Sequence, residues 1–145
     1  MASIVDELNR LLMAERGEAE AVLEFIQELA EADADIAAGG RDALRTSSWS
    51  CSGLYRRITQ LDGTPTLDAS DLAADLAERS DTRSRLELLC ESQENDLHMV
   101  EQLLKRRDLD RTTRQFLKDL RNAHKEMLRW CRETLGEWRR DDGAP

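Results

Sequence analysis

The sequence contains few of the residues that interrupt helices or build sheets. Only 2 prolines and 7 glycines occur among 145 residues, and 4% of the residues are aromatic. Low proline and glycine contents argue against a loop-rich or all-β domain, and the scarcity of β-branched and aromatic residues argues against a sheet. Because Leu, Ala, Glu, Asp and Arg dominate instead, the composition predicts an all-α protein.

Long apolar runs and an excess of basic charge are also missing. No apolar stretch approaches the roughly 20 residues that span a bilayer, and no secretory signal opens the chain, so we expect a cytoplasmic protein with no membrane partner. The 30 acidic residues outnumber the 21 basic ones, for a net charge of −9. A phosphate-binding surface has the opposite balance, so we expect no nucleic-acid partner.

Cysteine pairs with the spacing of a disulfide framework or a zinc site are absent. The three cysteines, Cys51, Cys90 and Cys131, are far apart and odd in number. Each falls on the apolar face of a predicted helix, so we interpret them as small buried residues in a reducing cytosol. The sequence also lacks a nucleophile elbow and a phosphate-binding glycine loop, and it leaves open whether the protein is an enzyme.

Four amphipathic helices are predicted from apolar residues that recur at helical spacing. The first, third and fourth helices have approximate bounds 3–31, 82–106 and 111–139, and the second helix ends at 62–65. The start of the second helix has two interpretations. Either Gly39 and Gly40 form the turn, or Asp33 and Asp35 cap a helix that tolerates the two glycines at a cost of about 1 kcal/mol each.

A single bundle buries all four apolar stripes, which no helix can bury alone. Residues 66–79 then form a long connection between the second and third helices, with a short helix inside it. We therefore predict one four-helix bundle over residues 1–140 and a disordered tail over 141–145. A coiled-coil dimer is less favoured because turn signals interrupt the stripes.

Polar residues interrupt the stripes at matched heights. Glu15 and Ser47 lie equally far from the first predicted turn, and Gln93 and His124 lie about equally far from the last one. Since antiparallel neighbours meet at equal distances from their turn, these side chains should form one buried polar layer, which Arg121 could reach. Such groups need a hydrogen bond, a water or a metal as partner. Glu15 and Ser47 lie equally far from the first turn only if that turn comes before Gly39 and Gly40.

Four short stretches resemble the ferritin-like superfamily and, within it, a ferritin-like family of unknown function. They are Leu11–Gly17, Trp49–Leu54, Arg85–Gln93 and Leu117–His124. Together they are spread over most of the chain. The resemblance implies a four-helix bundle in which carboxylates from four helices and two Glu-x-x-His pairs hold a di-iron or di-manganese centre.

The chain departs from that ligand pattern on three helices. Glu15 stands at the ligand position of the first helix, but the second helix has Ser47–Ser50 in place of Glu-x-x-His and the third has Gln93. On the fourth helix Arg121 replaces the carboxylate that should precede His124, and it adds positive charge where a cation would sit. We therefore predict a degenerate site with no cofactor, in a bundle that acts as a homo-oligomer, such as a homodimer, or binds a protein partner.

The alternative function is a metal-dependent oxidoreductase or metal-handling protein that uses iron or manganese. Its ligands would be an atypical set: Glu15, Glu94, His98 and His124. Glu94 and His98 have the spacing of a metal-binding pair on one helix face, although an exposed ion pair is the more common role of that spacing. A third alternative is a pocket in which Glu15 and Arg121 orient a small organic ligand.

Three other side chains are assigned from spacing. Glu18, one turn after Glu15, is expected on a solvated face. Trp130 lies off the main stripe of the fourth helix and, with Phe25, is expected to seal the bundle or to mark a dimer face.

Overall fold

The computed structural model describes residues 2–32 and 34–143, except for the side chains of 29, 30, 32, 34–37 and 137–143. These residues form five α-helices and no strand. In order they are α1 (Ile4–Ala32), α2 (Ala34–Gln60), α3 (Leu72–Ala77), α4 (Thr82–Leu104) and α5 (Arg111–Gly143). The prediction of an all-α bundle with a short helix in the connection is confirmed.

Helix ends follow from local capping. The Oγ of Ser3 accepts a hydrogen bond from the backbone N of Asp6 at 3.1 Å, and the Oδ1 of Asp110 accepts one from the backbone N of Thr113 at 2.7 Å. These side chains satisfy backbone donors that the first turn of a helix leaves free. Asp62 has a φ of 62° just after α2, a left-handed conformation that ends a helix.

The glycine pair lies inside a helix. α1 ends at Ala32 and α2 begins at Ala34, so the interpretation of Gly39 and Gly40 as the turn is wrong. The reason is tertiary packing: a Cβ on Gly39 would lie 2.1 Å from Nε1 of Trp130, so the missing side chain makes room for the indole. The caps predicted at Asp33 and Asp35 involve side chains outside the described residues.

The four long helices pack as α1 against α2 and α4 against α5, with further contacts between α1 and α4 and between α2 and α5. Two apolar clusters fill the interior. One contains Leu8, Leu12, Ile58, Leu103 and Leu117 among others, and the second contains Val22, Phe25, Leu86, Met127 and Leu128 among others. The predicted polar residues lie in sequence between these two clusters on every long helix.

The connection from α2 to α4 runs along α1. The Asn9 side chain bonds the backbone of Thr64 and Thr66 at 3.0 and 2.8 Å, and the Ser70 backbone N donates to the Met13 carbonyl at 3.0 Å. This long connection carries the chain from the end of α2 to the start of α4, as predicted.

No helix among the described residues is both long and apolar enough to cross a membrane. Helix α5 continues through Gly143, beyond the end predicted near Arg139. The rest of the predicted tail, Ala144 and Pro145, lies outside the described residues.

Candidate metal centre

A buried acid and a buried imidazole meet between α1 and α5. Glu15 and His124 are both 0% exposed, and His124 Nε2 is in hydrogen-bond contact with Glu15 Oε1. The other ring nitrogen, Nδ1, lies 2.7 Å from Oε1 of Gln93 on α4. Since both nitrogens face oxygen atoms, each needs a proton or a metal ion between it and its neighbour. Burial lowers the pKa of His124, but the charge of Glu15, its hydrogen bond to the ring and the charge of Asp96 together raise the pKa above its usual value.

The α2 contribution to this layer is Ser50. Its hydroxyl lies 2.9 Å from Oε2 of Glu15 and 2.8 Å from the carbonyl oxygen of Ser47. Ser47, the residue predicted from the sequence, is buried, but its own Oγ has no partner among the described residues. α1 ends slightly later than predicted, which moves the position level with Glu15 about one turn along α2.

Two further carboxyl groups extend the layer. Glu18 is 0% and Asp96 3% exposed, and their carboxyl groups face one another closely enough to form a hydrogen bond when one of them holds a proton. Burial, and next the charge of Asp96, raise the pKa of Glu18 well above its usual value. Burial raises the pKa of Asp96 to about 6. Glu18 is therefore the group that carries the proton near neutral pH.

The solvated face predicted for Glu18 is wrong, and Asp96 is a site residue that sequence reasoning missed. The spacing contained the signal, because Glu18 follows Glu15 by three residues and Asp96 follows Gln93 by three. Residues at this spacing share one face of a helix. The two carboxyl groups therefore enter the interior on the same faces as the polar residues that were predicted.

These groups could hold one metal ion. One oxygen of Glu15, one oxygen of Asp96 and one ring nitrogen of His124 lie within 4.8 Å of one another. Carboxylate and imidazole are ligands that suit manganese and iron. Gln93 favours the neutral tautomer with the proton on Nδ1, which leaves the Nε2 lone pair for a cation. Glu18 Oε1 and Asp96 Oδ2 are buried and have no hydrogen-bond partner among the described residues, so the cluster fits a divalent cation.

The remaining predicted ligands lie elsewhere. Glu94 is exposed and pairs with Arg132 at 2.6 Å, and His98 is exposed on α4. The structure therefore does not bring Glu94 and His98 to Glu15 and His124. Their positions on α4 differ from those of Gln93 and Asp96 by only one or two residues, which is enough to turn a side chain away from the interior.

Arg121 does not pair with Glu15. It is half-buried, and its Nε has no hydrogen-bond partner among the described residues. The two oxygens of Glu15 bond to His124 and Ser50 instead. A small ligand held jointly by Glu15 and Arg121 therefore has no support from this geometry.

Residues 51–141 match the family model of the ferritin-like domain. The match covers more than half of the chain, so the chain belongs to the ferritin-like family, as its sequence motifs predict. The matched region contains Gln93, Asp96 and His124, whereas Glu15 precedes it. No curated protein and no solved structure matches the chain.

Proposed function

We propose that this ferritin-like protein binds one divalent metal ion, iron or manganese, through Glu15, Asp96 and His124. The observation that carries the proposal is the convergence of these three donors from α1, α4 and α5 within 4.8 Å. This is the metal-handling alternative predicted from the sequence with a different ligand set, in which Asp96 replaces Glu94 and His98.

One ion, not two, is the natural capacity of this cluster. Two-metal centres of ferritin-like bundles use four carboxylates and two histidines from four helices. Here the buried set among the described residues has three carboxyl groups, those of Glu15, Glu18 and Asp96, and one imidazole. The α2 helix supplies only serine hydroxyls to the layer. The predicted absence of a di-iron centre is thus part of the proposal.

Each polar neighbour has a defined role. Ser50 orients the Glu15 carboxylate, and Gln93 fixes the ring of His124, so the donors are positioned before any ion binds. Glu18, whose pKa is raised by burial and by the charge of Asp96, holds a proton and therefore adds no further negative charge to the buried layer. A bound iron or manganese ion would supply Lewis-acid or redox chemistry. The apolar clusters on both sides exclude water from the layer.

Metal analysis of protein purified without chelator, and again after incubation with Mn(II) or Fe(II), tests the proposal. We expect about one ion per chain in the wild type and loss of that ion in His124→Ala. The matched control is His98→Ala, which removes the only other histidine of the chain. Glu94→Gln is the corresponding carboxylate control, because Glu94 is exposed.

A second measurement covers the case in which the His124 variant folds poorly. Mn(II) should raise the thermal midpoint of the wild type, of His98→Ala and of Glu94→Gln, since binding to the folded state stabilises it. The proposal is overturned if the wild type neither retains an ion nor shifts in midpoint. It is also overturned if His98→Ala loses the metal.

Self-association is a second candidate function, favoured by one surface. Trp49 on α2 is 43% exposed, and its ring lies 5.2 Å from that of Phe116 on α5. Exposed aromatic residues are enriched at protein interfaces. Trp130, the other tryptophan considered for such a face, is partly buried and packs against the core and over Gly39. Light scattering should give a dimer mass that falls in Trp49→Ser and not in the control Leu67→Ser; a monomeric wild type rejects this candidate.

A further inference from the structure

A cleft that is open to solvent lies between α1 and α2. Its volume is about 580 Å³, and it is lined by Arg16 from α1 and by residues between 51 and 60 of α2. Pockets for small molecules have volumes of about 300–1,000 Å³. Arg16 follows Glu15, and Cys51 follows Ser50, so the cleft lies on the outer side of the contact that holds the candidate metal centre on its inner side.

Two arginine side chains line this cleft without a carboxylate partner. Neither Arg16 nor Arg56 takes part in any ion pair between described residues, and the described residues that line the cleft include no aspartate or glutamate. The Nε of Arg16 is buried and has no hydrogen-bond partner among the described residues either. Since a donor that is left without an acceptor destabilises the folded state, an oxyanion in the cleft would supply what the protein itself does not.

The cleft is positive in a protein that is negative overall. The chain carries a net charge of −9, yet the positions one turn before and one turn after Arg56 hold no acidic residue; they are Ser52, Gly53, Thr59 and Gln60. Burial raises the pKa of Cys51 to about 11, so its thiol is neutral at neutral pH. Among the described lining residues, an anion therefore meets two positive groups and no negative one.

The cleft also has an aromatic wall. Tyr55 lines it and is 47% exposed, and a tyrosine ring offers an apolar face to a ligand. The Thr59 hydroxyl donates to the backbone carbonyl of Tyr55 at 2.9 Å, so its proton is already in use, whereas the Gln60 amide at the same edge can donate to a ligand. A ligand that suits this lining carries an anionic group and an aromatic ring.

We propose that this cleft binds a small aromatic phosphate monoester, whose phosphate group bonds to Arg16 and Arg56 and whose ring lies against Tyr55. A phosphate monoester carries a charge of about −1.5 to −2 near neutral pH, which matches two guanidinium groups, whereas a carboxylate carries only one charge. The planar guanidinium also forms paired hydrogen bonds with phosphate oxygens. The site is separate from the candidate metal centre, and binding requires no metal.

Calorimetric titration of the full chain with phenyl phosphate tests the proposal. A chelator is present throughout, so that no metal ion can hold the phosphate. We expect a dissociation constant of about 1 mM or below for a probe of this size. Arg56→Gln should weaken binding by about 10-fold or more, because it removes the charged hydrogen bonds to the phosphate. Arg56 is exposed, so this variant should fold as the wild type does.

Arg45→Gln is the matched control. It removes the same charge from the same helix, but Arg45 pairs with Asp42 at 2.9 Å and does not line the cleft. Its affinity for phenyl phosphate should equal that of the wild type. Equal weakening in Arg45→Gln and Arg56→Gln would show that the probe responds only to the overall charge, and it would overturn the proposal. Absence of binding to the wild type would overturn it as well.

Three further probes test the ligand class. Inorganic phosphate lacks the ring and benzoate lacks the second charge, so both should bind more weakly than phenyl phosphate, and the uncharged benzyl alcohol should not bind. Benzoate that binds more tightly than phenyl phosphate would overturn the choice of phosphate, and inorganic phosphate that binds equally well would overturn the role of Tyr55.

Cys51 provides a readout of where the probe binds, because its half-buried side chain lines the cleft. Phenyl phosphate should slow the alkylation of Cys51 by iodoacetamide in the wild type and in Arg45→Gln, but much less in Arg56→Gln. Peptide mapping by mass spectrometry measures the rate. Binding of the probe with no protection of Cys51 would place it outside the cleft and overturn the proposal. Since the chelator removes metal from every sample, these results are independent of whether the candidate metal centre binds an ion.

Discussion

The imidazole of His124 lies between two oxygen atoms, Glu15 Oε1 on one side and Gln93 Oε1 on the other. This arrangement fixes the ring from both nitrogens in a part of the interior that water does not reach. A charged or proton-sharing pair of this kind is stable only while both partners are present. Several consequences of that relationship can be measured without any metal.

The pair should show strong coupling in a double-mutant cycle. Glu15→Leu or His124→Leu alone leaves the other group buried without its partner, and we expect each to lower the free energy of unfolding by about 3–5 kcal/mol. The double variant replaces both groups with apolar side chains and should lose much less than the sum. Urea unfolding in the presence of a chelator measures all four states of the cycle.

A surface pair provides the control for this cycle. Arg45 and Asp42 lie 2.9 Å apart, but their side chains are 78% and 74% exposed. Their coupling should not exceed about 0.5 kcal/mol, because water screens exposed pairs. Equal coupling in the two cycles would mean that burial does not strengthen the Glu15–His124 interaction, contrary to our interpretation.

Gln93 should matter for both stability and metal binding. Gln93→Leu keeps the size of the side chain but leaves the Nδ1 proton of His124 buried and unbonded, at a cost of about 1–3 kcal/mol. Loss of this partner should also weaken Mn(II) binding by about 10- to 100-fold. Gln102→Leu, at an exposed position on the same helix, is the control in urea unfolding and Mn(II) titration; similar losses in both variants would contradict the assigned role.

The sequence predicts the helices well because apolar spacing and turn residues are local signals. The start of α2 is different. Glycine has low helix propensity, so local reasoning alone permits a turn at Gly39. Only the position of Trp130, on a helix far away in sequence, decides the outcome. A contact of this kind has no signature in a single sequence.

The candidate site is predictable in part for the same reason. Glu15, Gln93 and His124 stand out because each interrupts an apolar stripe. Asp96 and Glu18 do not stand out, since a carboxylate on an amphipathic helix is usually solvated. Their burial becomes understandable only when both are seen to face one another and share a proton.

The Asp110 cap makes a stability contribution that depends on pH. The hydrogen bond from the Thr113 backbone holds the pKa of Asp110 below its usual value, so the folded protein takes up this proton less readily than the unfolded chain. The contribution is therefore complete above the ordinary aspartate pKa near 3.9 and is lost as the pH falls through it towards the lower folded pKa.

Two variants of Asp110 separate the charge from the cap. Asp110→Ala should cost about 1 kcal/mol at neutral pH. Asp110→Asn keeps a capping oxygen, so it should cost less, and its difference from the wild type should begin to shrink below about pH 4. Thermal unfolding across pH 3–7 measures both. A wild-type advantage over Asp110→Asn that grows towards low pH would contradict the expected direction of the pH dependence.

Two glycines in helices should respond in opposite directions to the same substitution. A Cβ on Gly39 would lie 2.1 Å from Trp130, whereas nothing lies within 4 Å of a Cβ on Gly136. Alanine raises helix propensity by about 1 kcal/mol at either position, but at Gly39 the crowded indole must move, at a cost of about 1–3 kcal/mol. We therefore expect Gly136→Ala to stabilise the protein and Gly39→Ala to destabilise it in urea unfolding.

The Trp130→Leu variant provides the control for this prediction. Because the clash with the indole is gone in that background, adding Gly39→Ala to Trp130→Leu should stabilise the protein. Destabilisation by the alanine in that background as well would show that the indole is not what makes glycine necessary at position 39.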